Sequence, residues 1–205
     1  MLYWGAVWCP PCHQLKANVF PRPDFREKLT HFIPVYLDGD EPGAQKWGEV
    51  FGVSGYPSVV ILNGDRSEIL RIAGGIDLGQ YATMLDTALE DRRPARSVLA
   101  TLARPGAKAN AEDCHRIAWQ AWALEELDDA DRGQRGAQLA AAASACAQRP
   151  ADERTRLAVL AASDLARGAR GGTTLPAALS RQVGALLADA AQAARQMDAL
   201  RTLAD

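Results

Sequence analysis

The sequence predicts an α/β fold, a mixed sheet with flanking helices, followed by an all-α helical-hairpin domain. Three observations carry this. Through about residue 92, β-rich apolar runs alternate with stretches of helical period and with turn signals. After Pro94, alanine dominates and strand patterns vanish. The 205-residue length is enough for two small domains. The boundary falls at Arg92-Arg93-Pro94, where the proline is a natural helix stop. It divides the chain into 1–92 and an Ala-rich α-helical domain over 95–205.

In the first part, Met1 to Val7 reads as a short apolar strand. Cys9 to Val19 reads as a helix, with Cys12, Leu15, Lys16 and Val19 at i, i+3, i+4 and i+7. Pro21 and Pro23 end it, and Asp24 caps a second short helix through about Leu29. Phe32 to Leu37 alternates and is β-rich, so it is a strand. Pro42 opens a helix to about Phe51. Ser58 to Leu62 is continuously apolar, as a central strand buried on both faces would be. Asn63-Gly64-Asp65 signals a hairpin turn, with Glu68 to Ala73 as the returning strand. Gly74-Gly75 breaks that strand, and Asp77 to Leu89 is the last helix of the domain.

The second part reads as helices over 95–103, 111–130, 134–148, 151–167 and 176–203. Asp152 and Thr174 mark starts; Gly133, Gly168, Gly171 and Gly172 mark breaks. Antiparallel helical hairpins follow, as a small bundle or as tetratricopeptide-like pairs, although no repeat motif is evident. Abundant alanine implies close helix packing and high local helix propensity.

Composition narrows the function classes. A formal net charge of -2 and a pI of about 5.9 offer nothing to nucleic acid or to an anionic membrane, both of which need concentrated Lys and Arg. No apolar run approaches the roughly 20 residues that span a bilayer, so no membrane insertion is expected. Met1 is followed at once by Leu2-Tyr3-Trp4, with no basic start and no long apolar stretch. The expectation is a cytoplasmic chain, or a periplasmic one whose N-terminal leader is missing here. Four cysteines are too few for a disulfide scaffold in a chain of this length.

Two of those cysteines carry most of the chemistry. Trp8-Cys9-Pro10-Pro11-Cys12 lies at a strand-to-helix junction. Dithiol exchange needs one exposed sulfur that ionises and a second that can reach it. Cys9 stands at the positive end of the helix dipole, which favours its thiolate. Cys12 follows one turn later on the same face, more buried, placed to attack a mixed disulfide and release the substrate.

With these residues in view the sequence resembles the thioredoxin superfamily, in its bacterial thioredoxin-related branch that includes many exported disulfide reductases. The resemblance rests on Trp8-Cys9-Pro10-Pro11-Cys12, Val19-Phe20 with Pro23-Asp24, Val35 to Asp38, Phe51-Gly52-Val53-Ser54-Gly55-Tyr56-Pro57, and the strand-turn-strand to Gly74-Gly75. It covers roughly residues 1–90. It implies a thioredoxin-like redox domain over 1–92. It also implies that Pro57 is a cis proline beside the cysteine pair, and that the backbone of Tyr56 pairs with a bound substrate chain. Trp8 and Tyr56 then form the apolar rim of a shallow substrate groove.

The sequence departs from the family in three places. The buried carboxylate often found beneath the cysteines is replaced by Tyr3, so proton transfer from Cys12 needs water or another base. Pro10 and Pro11 donate no N–H to the Cys9 sulfur, leaving the helix dipole and the Cys12 N–H to stabilise a thiolate. The Cys9 pKa is therefore expected near the thioredoxin value of about 7 rather than the value of about 3.5 of strongly oxidising relatives, which favours reductase over oxidase. Finally, the chain begins at the strand that carries the motif, where the family usually has a preceding strand and helix; the expectation is a truncated form.

The expected function is thus thiol–disulfide exchange, with Cys9 as nucleophile and Cys12 as resolving thiol. The expected partners are a protein disulfide substrate and an upstream thiol reductase, and no cofactor is required. His13 could tune the Cys9 charge or be a plain surface residue. Cys9-Pro10-Pro11-Cys12-His13 also satisfies the c-type haem attachment pattern, against which the downstream thioredoxin-like context argues. Zinc lacks a second pair of ligands. A further alternative is a helical interaction module with a vestigial redox head. The helical domain reads as an adaptor, or as a cap on the sheet edge left by the missing N-terminal unit. Cys114 and Cys146, on consecutive helices, read as separate small buried residues, with a structural disulfide as the alternative. Trp119 and Trp122 read as core on one helix face, His31 and His115 as filler, and Asp38-Gly39-Asp40-Glu41 as a solvated turn.

Overall fold

The computed structural model describes residues 1–73, 78–168, 175–197 and 199–200. The chain divides into two compact units. One is Met1–Ala95 with Gln120–Glu126, and the other is Arg96–Trp119 with Leu127–Asp205. Gly74-Gly75, Asp77, Gly171-Gly172 and Thr174, read from the sequence as breaks and starts, lie outside the described residues.

In the first unit the order is β1 (Leu2–Gly5), α1 (Pro10–Asn18), α2 (Pro23–Leu29), β2 (Val35–Asp38), α3 (Pro42–Val50), β3 (Ser58–Leu62), β4 (Glu68–Ala73) and α4 (Leu78–Glu90). The sheet runs β2-β1-β3-β4. β1 is parallel to β2 and antiparallel to β3, and β4 returns antiparallel to β3. Central β3 buries both faces, which is why it carries an unbroken apolar run. Proline opens α1, α2 and α3, where a missing N–H costs nothing and the fixed φ suits a helix start.

The two faces of β1 seed two cores. Trp4 is fully buried with Ala44 and Val60, and its indole N–H donates to the Ala44 carbonyl at 3.0 Å. On the other face Tyr3 meets Phe20 edge-on at 5.0 Å, Phe20 stacks on Phe25 at 5.2 Å, and Phe25 reaches Tyr81 of α4 at 6.0 Å. Asp24 is not the cap expected of it. Pro23 sets the start one residue earlier, Arg22 takes the N-cap position, and Asp24 accepts bonds from Arg22 and from the Phe25 N–H.

The expected helix over 111–130 is broken. It ends at Trp119, and Gln120–Glu126 forms a strap around a single 3₁₀ turn, Trp122–Leu124. The Ala121 N–H donates to the Arg71 carbonyl at 3.0 Å, and Gln120 Oε1 accepts from the Arg71 N–H at 2.7 Å. The strap therefore lies on β4, while Val35 and Tyr36 of β2, at the opposite edge, stay 40% and 46% exposed. Trp119 and Trp122, expected on one helix face, fall on either side of this break and in different units.

The second unit is helical: α5 (Ala95–Leu102, whose first residue belongs to the other unit), α6 (Ala111–Trp119), α7 (Asp129–Ala145), α8 (Ala151–Gly168), α9 (Ala177–Ala188) and α10 (Ala190–Arg195). α7 and α8 form a hairpin. Gly133 does not break α7, which starts at the Asp128 cap. Gly136 shows why small residues recur here: a Cβ on it would stand 2.7 Å from the Leu165 backbone nitrogen. Asp189 splits the expected 176–203 helix by turning extended and accepting from the Ala191 and Gln192 N–H groups. Cys114 and Cys146 are joined as a disulfide, contrary to their reading as separate apolar fillers. Packing brings their Cα atoms to 5.9 Å, inside the bonding range. Arg135 pairs with Asp164 across the α7–α8 hairpin at 2.5 and 2.9 Å. No helix among the described residues is long and apolar enough to cross a membrane.

Candidate functional site

The site forms where β1 ends. Gly5 closes the strand, Ala6 to Trp8 turn outward, and α1 starts at Pro10. Cys9 is the N-cap, with extended backbone, and its Sγ accepts the Cys12 N–H at 3.2 Å. The first turn of a helix leaves N–H groups without partners and concentrates positive potential. Pro10 and Pro11 have no N–H, so Cys12 is the first residue able to supply one. Cys9 and Cys12 are bonded to each other across three residues, with Cα atoms 5.2 Å apart.

Cys12 is fully buried, as expected. Cys9 is only 3% exposed, where an accessible sulfur was expected. The reason is Tyr56, which packs against Ala6, Cys9 and Cys12. The Tyr56–Pro57 peptide is cis. The Tyr56 hydroxyl donates to the Gly39 carbonyl at 3.3 Å, and burial first, then Asp40 and Asp38, pushes its pKa up. Trp8 stands at the rim, 63% exposed, its ring 6.1 Å from that of Tyr56. Val7 beside it is 67% exposed. The structure thus brings Cys9, Cys12, Trp8, Tyr56 and Pro57 together. His13 Nε2 reaches back 2.6 Å to the Val7 carbonyl, tying the helix to the loop that carries the rim.

Two functional positions escaped the sequence reading. The Trp8 indole N–H donates to both carboxylate oxygens of Asp40 at 3.0 Å. A Cβ on Gly39 would stand 2.3 Å from the Tyr56 ring, so only glycine lets that ring lie where it does. The turn read as merely solvated holds both rim aromatics. Nothing in an Asp-Gly-Asp-Glu string announces this, because the partners lie 17 and 32 residues away.

On β1, Tyr3 is buried and its hydroxyl has no hydrogen-bond partner among the described residues. Burial first, then Tyr36, pushes its pKa up to about 12. It remains a neutral phenol across the working pH range and is no substitute for a carboxylate base.

A Cys-x-x-Cys pair at a helix head holds two electrons as the dithiol, gives them up when its disulfide closes, and exchanges them by thiolate attack. Residues 1–89 match the family model described as a thioredoxin-like domain. No curated protein matches the chain, and no solved structure does. Fold order, cysteine pair and family match agree on a thiol–disulfide redox function, and residues 1–89 belong to the thioredoxin superfamily.

Proposed function

We propose that the protein is a thiol–disulfide oxidoreductase acting on disulfides in other proteins, in the reducing direction. The observation that carries this is the Cys12 N–H aimed at Cys9 Sγ on the helix cap, beside Tyr56-Pro57. In the dithiol form, the Cys9 thiolate attacks one sulfur of a substrate disulfide. A Cys9–substrate mixed disulfide forms, and the substrate's other sulfur leaves as thiolate and takes a proton from water. Cys12 then loses its proton to water and attacks Cys9 Sγ. The Cys9–Cys12 bond closes, the second substrate thiol departs, and two electrons have passed to the substrate. An upstream thiol reductase restores the dithiol.

Trp8 and Tyr56 are the substrate-contacting residues in this scheme, with Tyr56 yielding its place over Cys9 as substrate enters. Pro57 shapes the groove. Pro10 and Pro11 act by withholding N–H donors from the sulfur, and His13 by fixing the Val7 carbonyl. With one backbone donor at the sulfur, the thiolate is stabilised only modestly, which favours reductase over oxidase. The buried Cys114–Cys146 disulfide supports an oxidising compartment.

The test is insulin reduction with a competent thiol reductant, comparing wild type with Cys9→Ser. The variant should fall to the uncatalysed rate. Equal rates for the two proteins would defeat the proposal. A Cys9–Cys12 potential near about −270 mV would support the reductase direction, and one near about −120 mV would reverse it.

A further inference from the structure

We infer that the strap Gln120–Glu126 positions the substrate-binding edge of the redox site, with Arg71 as the positioning residue that joins the two. This rests on the oxidoreductase reading above. The family match ends at residue 89, so the strap lies outside the matched domain, yet it is part of the same compact unit.

The segment that leads into Tyr56-Pro57 is held from two sides. On one side the strap bonds to it directly. The Glu126 N–H donates to the Gly52 carbonyl at 3.0 Å, Val53 bridges Glu125 in antiparallel fashion, and the Ser54 N–H donates to the Leu124 carbonyl at 3.4 Å. On the other side stands the Arg71 guanidinium, 1% exposed on β4. Its Nη1 donates to the carbonyls of Gly52 at 3.0 Å and Leu124 at 2.6 Å, and its Nη2 to that of Phe51 at 2.6 Å. Glu68 balances the charge at 2.8 Å, and Gln120 Nε2 donates to Glu68 at 3.0 Å. One buried cation thus gathers carbonyls from the strap and from the loop that enters the groove. A planar fork of donors suits this task, and an uncompensated buried charge would be costly. Gly52 takes a φ of +57°, which an L side chain rarely adopts, so a side chain there would strain the loop at the point where its carbonyl accepts the Glu126 N–H.

A bound protein chain pairs with the Tyr56 edge; a small disulfide needs only the sulfur. The strap should therefore matter for one and not for the other. The experiment uses the full chain, wild type beside Arg71→Gln and Gly52→Ala, with insulin and with the small disulfide 5,5′-dithiobis(2-nitrobenzoate). Both variants should raise KM for insulin by about tenfold, with kcat and the small-disulfide rate held within about twofold. Unchanged KM in both variants, or equal losses on both substrates, would overturn the inference. If Arg71→Gln does not fold, Gly52→Ala decides alone. Cys9-dependent turnover of the small disulfide by wild type tests the redox reading itself; its absence would overturn that reading as well.

Discussion

The chain's two cysteine pairs form the same covalent bond in opposite surroundings. Cys9–Cys12 spans three residues at the head of a helix and faces the exposed Val7 and Trp8. Cys114–Cys146 spans 32 residues between buried helix positions, both at most 1% exposed. Closing a three-residue loop removes little freedom from the unfolded chain, whereas a loop of this second length is worth about 3–4 kcal/mol. The neighbours differ as well. Beside the first pair is an aromatic rim. Beside the second, His115, next to Cys114, and Arg149, three residues after Cys146, both reach the Glu153 carboxylate of α8, at 3.0 and 2.8 Å. Chain separation and surroundings, rather than the bond, distinguish a redox pair from a brace.

Removing the brace tests this comparison most severely. The double variant Cys114→Ser/Cys146→Ser should lose about 3–4 kcal/mol of unfolding free energy in a denaturant titration, while insulin turnover stays within about twofold. Cys9→Ser should invert the pattern. A variant lacking the second pair that folds well but turns nothing over would erase the distinction.

Smaller changes sharpen it. Asp40→Leu strips the Trp8 indole of its acceptor, and KM for a protein disulfide should rise about threefold to tenfold, the worth of roughly 1 kcal/mol. Asp40→Asn keeps an acceptor and should recover most of that loss. If both variants bind like wild type, the rim is not held by this contact.

Glu153 reports on the second pair. Burial pushes its pKa up, but hydrogen bonds from His115 and Arg149, and their charges, outweigh this and leave it below the usual glutamate value. A carboxyl depressed by folding contributes stability above its unfolded pKa, and that contribution is lost as pH falls through the folded one. Glu153→Gln should therefore flatten the acid limb of the stability curve below about pH 4.5. An unchanged limb would assign acid loss to other groups.

The smallest effect is expected at Tyr3. Removing a buried hydroxyl without a partner should change stability at neutral pH by about 1 kcal/mol or less and leave exchange rates untouched. Because folding raises this pKa from 10 to about 12, the neutral form favours the fold, and stability is lost as pH climbs through that interval. Tyr3→Phe should soften that alkaline loss. A slowed release of the mixed disulfide would instead make Tyr3 a proton carrier.

Much of the first unit was legible because its signals are local. Ser58–Leu62 and Glu68–Ala73 came out with the residues expected, and Pro42 marked the start of α3. The cysteine pair was legible for the same reason, since three residues fix its geometry on a helix. What went unread was long-range. The exposure of Cys9 depends on where Tyr56 lies, and the roles of Gly39 and Asp40 depend on rings brought from elsewhere in the chain. In the helical part, Gly133 read as a break because glycine lowers helix propensity, yet it sits inside α7, which packs closely on α8. The 111–130 stretch was read as one helix, but its residues 120–126 form a strap held by the Arg71 backbone N–H and guanidinium and by the Glu68 carboxylate.

By itself the sequence determined the redox pair, its helix-head placement and the order of strands and helices in the first part, because each is encoded in periodicity or spacing over a few residues; the superfamily came from the resemblance of its motifs over roughly residues 1–90. Only the tertiary structure decided that Cys114 and Cys146 are bonded, that Tyr56 packs on Cys9, and that a segment beyond the matched domain is bonded to its β4 strand. Those outcomes depend on distances between residues far apart in the chain, which burial and packing set and no local pattern records.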